Sequence, residues 1–198
     1  MSLVELIAQA DERGLAAAGV SCLDRCVPLL GGDDEVLRPL WASLAEDGDG
    51  WGERVAKIRG HACDAATGAG AEAVSGPRSG PGAEAEAALL ARRMLAAVPA
   101  ERSAGALREW ADTCSVAALD IHRLLDVADD GNTSVTDCRE GRTEGMPPLV
   151  TAELRRQVTV LELLAGHGAA GVRQALEVSA EGRRVLQAVV SRRARGRT

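Results

Sequence analysis

Between Ala104 and Ala128 apolar residues return every three or four positions: Leu107, Trp110 and Ala111, Cys114, Ala117 and Ala118, Ile121, Leu124 and Leu125, then Ala128. On a backbone with 3.6 residues per turn this spacing draws one stripe along a single long helix, and it is incompatible with the alternation of a strand. Val116, Leu119 and Val127 project from the other side. A helix that is apolar on more than one side sits between neighbours. The expectation is therefore a central helix of a bundle, closed at Asp129-Asp130-Gly131, where Asp favours a turn and Gly tolerates a left-handed terminus.

The rest of the chain repeats the pattern in shorter pieces. A first helix spans about 3 to 13, with Leu3, Leu6, Ile7 and Ala10 on one face and Gly14 as its stop. A second carries Leu15, Ala18, Cys22, Leu23, Cys26 and Val27 and ends at Pro28. The third opens at Asp33-Asp34-Glu35, and its Pro39 requires a place in the first turn. Trp51, Val55 and Ile58 mark a fourth, and Glu84 to Val98 a fifth. Residues 131–148 read as irregular. Thr151 then caps a helix whose inward face holds Leu154, Val158, Leu161 and Ala165, broadened by Val160 and Leu163, with acidic Glu153 in its first turn. A short helix with Val172 and Leu176 follows, and Ser179 caps the last one. The spacing predicts an all-α bundle of about eight or nine helices with no sheet.

From Thr67 to Gly82 the sequence becomes Ala, Gly, Ser and Pro without periodicity, the composition of a flexible linker. It divides an N-terminal helical module (1–66) from a C-terminal bundle with a basic tail (83–198). The first module is small to stand alone, so the two are expected to pack as one globular unit.

Composition narrows the core and the partners. There is no Phe or Tyr and there are three Trp, so the interior must be built from Leu, Val and Ala. A net charge of −6 argues against nucleic acid as a general partner. No signal peptide and no run of about 18 apolar residues is present, which predicts a cytoplasmic protein with no membrane contact. Five cysteines, an odd number spread through helical segments, suit reduced and buried thiols. Cys138, in the irregular segment beside Arg139, is the expected exposed thiol.

Five groups carry potential chemistry. Asp126, Asp129, Asp130, Asn132, Ser134 and Asp137 offer oxygens to a hard cation, in a degenerate version of a Ca²⁺ loop. Glu109 and Asp112 stand three apart on the long helix. With Glu84 and Glu86 on the preceding helix they resemble the all-α nucleotide pyrophosphohydrolases, which place Glu-x-x-Glu on one helix and Glu-x-x-Asp on the next. That resemblance covers four residues and implies Mg²⁺-dependent phosphoester hydrolysis. The first pair here is two apart, not three, which turns its carboxylates to different sides of the helix. His61, His122 and His167 lie on three segments, the number needed for a three-helix metal site. Cys22 and Cys26 with His61 and Cys63 are the right number for zinc. Lastly, Ala175-Leu176-Glu177-Val178-Ser179 resembles the turn of a helix-turn-helix, with Arg192, Arg193, Arg195 and Arg197 behind it as phosphate contacts.

Each of these has a plainer structural account, and no cofactor is predicted, though a divalent cation at Glu109, Asp112, His122 and Asp126 is possible chemistry. The expectation is a non-enzymatic interaction or regulatory protein with a protein partner or self-association, using the second face of the long helix (Val116, Leu119, Val127) or the N-terminal module. A metal-dependent phosphoester hydrolase is the alternative, and a DNA-binding regulator the third.

Overall fold

The computed structural model describes residues 1–31, 35–46, 50–66 and 81–196, with the side chains of all of these except 61–66 and 81. Among them the chain forms nine α-helices and no strand: α1 (Leu3–Gln9), α2 (Glu12–Cys26), α3 (Arg38–Ala45), α4 (Trp51–Ala66), α5 (Pro81–Ala96), α6 (Ala104–Leu125), α7 (Val135–Arg139), α8 (Pro148–His167) and α9 (Val172–Arg195). The architecture is an all-α bundle, as the spacing predicts. Residues 67–80 of the expected linker lie outside the described residues, and its last two positions already belong to α5.

The long helix α6 sits between neighbours as expected, packed on α2, α5 and α8, but the most deeply enclosed helix is α2. Every residue from Gly14 to Cys26 is buried, and α2 packs against α5, α6, α8 and α9. Small residues make this possible. A Cβ on Gly19 would lie 2.3 to 2.8 Å from ring carbons of Trp110, so glycine lets the α6 tryptophan sit directly on the α2 backbone. Trp110 donates its indole N–H to the Met94 carbonyl (3.0 Å) and meets Trp51 edge-on at 6.5 Å. These bonds satisfy the polar edges that burial would otherwise leave orphaned. One hydrophobic core takes Leu15, Leu23, Trp41 and Ile58 from before the linker and Met94, Leu107, Ile121 and Leu186 from after it.

The α6 stripe holds as read: Leu107, Trp110, Ala111, Cys114, Ala118, Ile121, Leu124 and Leu125 are all buried. Its second face does not. Leu119 is fully buried, Val116 is half-buried, and Val127, 90% exposed, lies past the helix end. The helix stops at Leu125, short of Asp129. The Asp126 side chain accepts the N–H of Ala128 (2.9 Å) and of Leu149 (2.7 Å), a local alternative to the helical ladder that also ties α6 to the first turn of α8.

Further expectations change. The first helix ends at Gln9, and Gly14 lies in the first turn of α2, capped by Asp11. Thr151 is inside α8, which begins at Pro148, and does not cap it. The 131–148 segment contains α7, nucleated by Ser134, whose hydroxyl accepts from the Asp137 N–H (3.2 Å). Cys138, on α7, is buried rather than exposed. The two last helices are one: α9 runs unbroken through Ser179 and Gly182, so the segment resembling a helix-turn-helix contains no turn. Ser179 is not a cap but a fully buried interior residue. Gly182 marks a close approach. A Cβ there would fall 2.4 Å from Arg25 Cδ and 2.9 Å from Arg156 Cδ, so the glycine is the slot through which two arginine stems pass. Among the described residues no helix is long and apolar enough to cross a membrane.

Candidate functional site

The polar chemistry of this bundle is in its interior, at residues the periodicity did not single out. On α8 the buried face is Val150, Glu153, Leu154, Gln157, Val160, Leu161 and Leu164. It is rotated from the expected one, with Glu153 and Gln157 where apolar residues would ordinarily stand. Glu153 and Arg25 are both completely buried. They form a two-pronged pair: Arg25 Nε donates to Glu153 Oε2 (2.7 Å) and Nη2 to Oε1 (2.6 Å). This fork geometry is the strongest arrangement open to an arginine and a carboxylate. Arg25 also reaches Ser179 Oγ (3.5 Å) on α9 and Cys22 Sγ (3.4 Å).

The pair continues outward as a chain of hydrogen bonds. Gln157 Nε2 donates to Glu153 Oε1 (2.9 Å) and to the Ser115 carbonyl (3.3 Å), and its Oε1 accepts from the Ser115 hydroxyl (2.7 Å). Ser115 Oγ in turn accepts from Arg139 Nε (3.1 Å) on α7. Arg139 is buried and pairs with the half-exposed Asp112. An unbroken polar path thus runs from the middle of the bundle to its surface, linking α2, α8, α6 and α7.

On the other side of Glu153 stands His122, 1% exposed. Its Nδ1 lies 2.7 Å from the Ala118 carbonyl, which can only accept, so Nδ1 carries the hydrogen. Its Nε2 is buried without a hydrogen-bond partner, 3.6 Å from Glu153 Oε2.

Electrostatics follow from this packing. Burial works against the Glu153 carboxylate, but Arg25, His122 and Gln157 outweigh it and hold its pKa below the usual carboxylate value. Burial likewise opposes the Arg25 charge, and Glu153 more than restores it. For His122 burial is the largest influence and lowers the pKa, with Glu153 and the Ala118 bond pulling the other way. Burial pushes the Cys22 thiol up to about 12, and raises Cys26 and Cys114 strongly. These thiols are protonated and inert, the opposite of an activated nucleophile.

The candidate residues from the sequence are not brought together. Asp112 faces Arg139, Asp126 caps α8, His122 turns into the core and Glu109 is exposed. Glu84, the pyrophosphohydrolase-like partner, lies 3.4 Å from Arg193 on α9. Asp130 is occupied by Asn132, through its backbone N–H (3.0 Å) and side chain (3.1 Å). Among the described residues no three His, Cys, Asp or Glu side chains are grouped to hold a metal ion. His167 is exposed at the α8 terminus, and the side chains of His61 and Cys63 lie outside the described residues. Of the terminal arginines, Arg192 and Arg195 are exposed, Arg193 donates to the Leu125 carbonyl (3.4 Å), and Arg197 is outside the described residues.

Sequence reasoning missed Arg25, Ser115 and Gln157, read Ser179 as a helix cap, and gave Glu153 only a helix-dipole role. A signal for the first exists. From Gly14 to Val27 the only charged residues are the adjacent Asp24 and Arg25, in a segment otherwise apolar or small all round. Charges on a helix with no polar face must be buried and therefore paired. Asp24 meets Arg183 of α9 (3.2 Å).

On α7, apart from the Arg139–Asp112 end of the polar path, the helix and its flanking loops enclose an open depression of about 660 Å³. Its lining includes Asp130, Ser134, Asp137, Arg142, Thr143 and Glu144. Arg142 is engaged by Asp137 and Glu140 (2.7 Å), so the depression presents more negative than positive charge. No family model, curated protein or solved structure matches the chain.

Proposed function

We propose that this chain is a non-enzymatic interaction protein of the cytoplasm, and that its partner-binding face is the acidic depression around α7, which takes a basic protein segment. What supports the reading is the way α7 is mounted. A helix of five residues is too short to hold itself. This one is fixed by buried Cys138 and by Arg139, whose guanidinium joins the interior polar path. A polar recess on a rigid base recognises a ligand without an ordering cost at the moment of binding. The free thiols of Cys22, Cys26, Cys114 and Cys138 fit a reducing compartment.

The test uses a defined probe. Oligoarginine peptide is titrated into the isotopically labelled full chain, and amide signals are followed by NMR at low and high salt. The reading predicts perturbations centred on residues 130–146 that saturate, weaken with salt, and vanish in a D137R/E144R variant whose fold is intact by circular dichroism. Perturbations spread over the whole acidic surface, or unchanged by the variant, would overturn it.

A further inference from the structure

The contacts of His122 leave one group unaccounted for. Its Nδ1–H is committed to the Ala118 carbonyl, so the neutral ring must face Glu153 with the bare lone pair of Nε2. Two acceptors, Nε2 and Oε2, then confront each other at 3.6 Å in an interior that excludes water. That arrangement is unfavourable for a neutral imidazole and favourable for an imidazolium, while burial acts in the opposite sense. Oε2 is also the oxygen that receives Arg25 Nε (2.7 Å), so a donor on His122 and the guanidinium address the same atom.

We propose that His122, Glu153 and Arg25 form a proton-operated latch at the centre of the bundle, in which a proton taken from solvent onto His122 Nε2 draws Glu153 Oε2 from Arg25 and loosens the joint of α2 with α8 and α9. The groups around the ring are consistent with a closed latch at neutral pH. Arg25 on α2 and Arg156 on α8 repel a charge on the imidazole, Glu153 attracts one, and Glu181 on α9 holds Arg156 at 3.7 Å. With its Nε bond to Oε2 given up, Arg25 keeps one prong of the fork, Nη2 on Oε1 (2.6 Å), together with Ser179 and the Cys22 thiol. Its stem is confined by the Gly182 slot, so the strain falls on the α2–α9 contact. The latch stands apart from the α7 reading, because its readouts need no partner.

The sign is fixed by the lowered folded-state pKa of His122. Above about pH 6.5 the ring is neutral folded or unfolded and contributes no slope; below it the unfolded chain takes up the proton first. Stability is then lost as pH falls from about 6.5 toward the folded pKa, by at most about tenfold in the folding constant per pH unit for one proton.

The experiment is ¹⁵N NMR of the imidazole and arginine side chains of the intact protein from pH 8 to pH 5, paired with urea unfolding of the wild type and His122→Asn. Asn keeps a donor for the Ala118 carbonyl and cannot titrate. Expected are a bare Nε2 at pH 8, protonation of Nε2 with a midpoint below 6.5, and a shift of the Arg25 Nε–H signal at the same midpoint. The one-proton slope in unfolding is present in the wild type and absent in the variant. A protonated Nε2 at pH 8, an Arg25 signal indifferent to the His122 titration, or the same slope in both proteins would overturn the latch. Should the variant fail to fold, the wild-type spectra decide alone.

Discussion

Removing the charge of Glu153 is the sharpest perturbation this bundle offers. In Glu153→Gln the shape of the side chain is retained, but the Arg25 guanidinium loses its counter-charge while remaining completely buried. Two charge-assisted bonds, at 2.7 and 2.6 Å, become ordinary or broken ones, and water cannot replace them. Leaving a buried charge unpaired costs about 3–5 kcal/mol. An exposed pair of the same composition would cost under about 1 kcal/mol. Arg25→Met gives the complementary case. Its stem fills the space beside Gly182, and Glu153 is left with burial as the dominant influence, which raises a carboxylate pKa.

The two proteins then have opposite pH slopes. In the wild type the Glu153 pKa is lowered, so its contribution is present above about 4.5 and lost as pH falls through the folded value. In Arg25→Met the folded pKa is raised, so the contribution is present at low pH and lost as pH rises. The double variant Arg25→Met/Glu153→Leu removes both charges and recovers most of the loss. Urea unfolding followed by circular dichroism at several pH values measures all four proteins. A cost below about 1 kcal/mol for either single variant at neutral pH would mean that solvent reaches the pair, and would refute its enclosure.

Two other substitutions test the packing around it. Gly182→Ala drives a methyl to within 2.4 Å of Arg25 Cδ and is expected to destabilise by about 1–3 kcal/mol, whereas alanine at an ordinary helical position stabilises; thermal unfolding reads the sign directly. Asp126→Ala removes the acceptor of the Leu149 and Ala128 N–H groups and is expected to cost about 1 kcal/mol, with faster hydrogen exchange at Leu149.

The elements made by apolar periodicity were legible in the sequence. Leu107 to Leu125 form the stripe their spacing describes, and Pro39 sits in the first turn of α3 as its missing N–H requires. What the pattern hid is polar. Glu153 and Gln157 are a helical turn apart on the inward face of α8, yet taken singly they read as surface residues, because a sequence does not display the arginine that arrives from α2 to meet them. Gly182 announces nothing in the sequence for the same reason: its role is defined by Arg25, which lies far from it along the chain. Asp126 ends α6 early through a bond to Leu149 that no local signal announces. The four proposed metal ligands share a helix and its terminus, but their side chains diverge: Asp112 pairs with Arg139 on α7, Asp126 bonds the first turn of α8, and His122 turns inward onto the Ala118 carbonyl of its own helix.

The central claim is that the Arg25–Glu153 pair is sealed inside the bundle and organises it. Solvent exchange of the Arg25 side-chain Nε–H, resolved by ¹⁵N NMR in the native protein, tests this most directly. The account predicts exchange only through global unfolding, with a protection equal to that of the slowest backbone amides of α2. An Arg25 Nε–H that exchanges as fast as that of exposed Arg192 would contradict it.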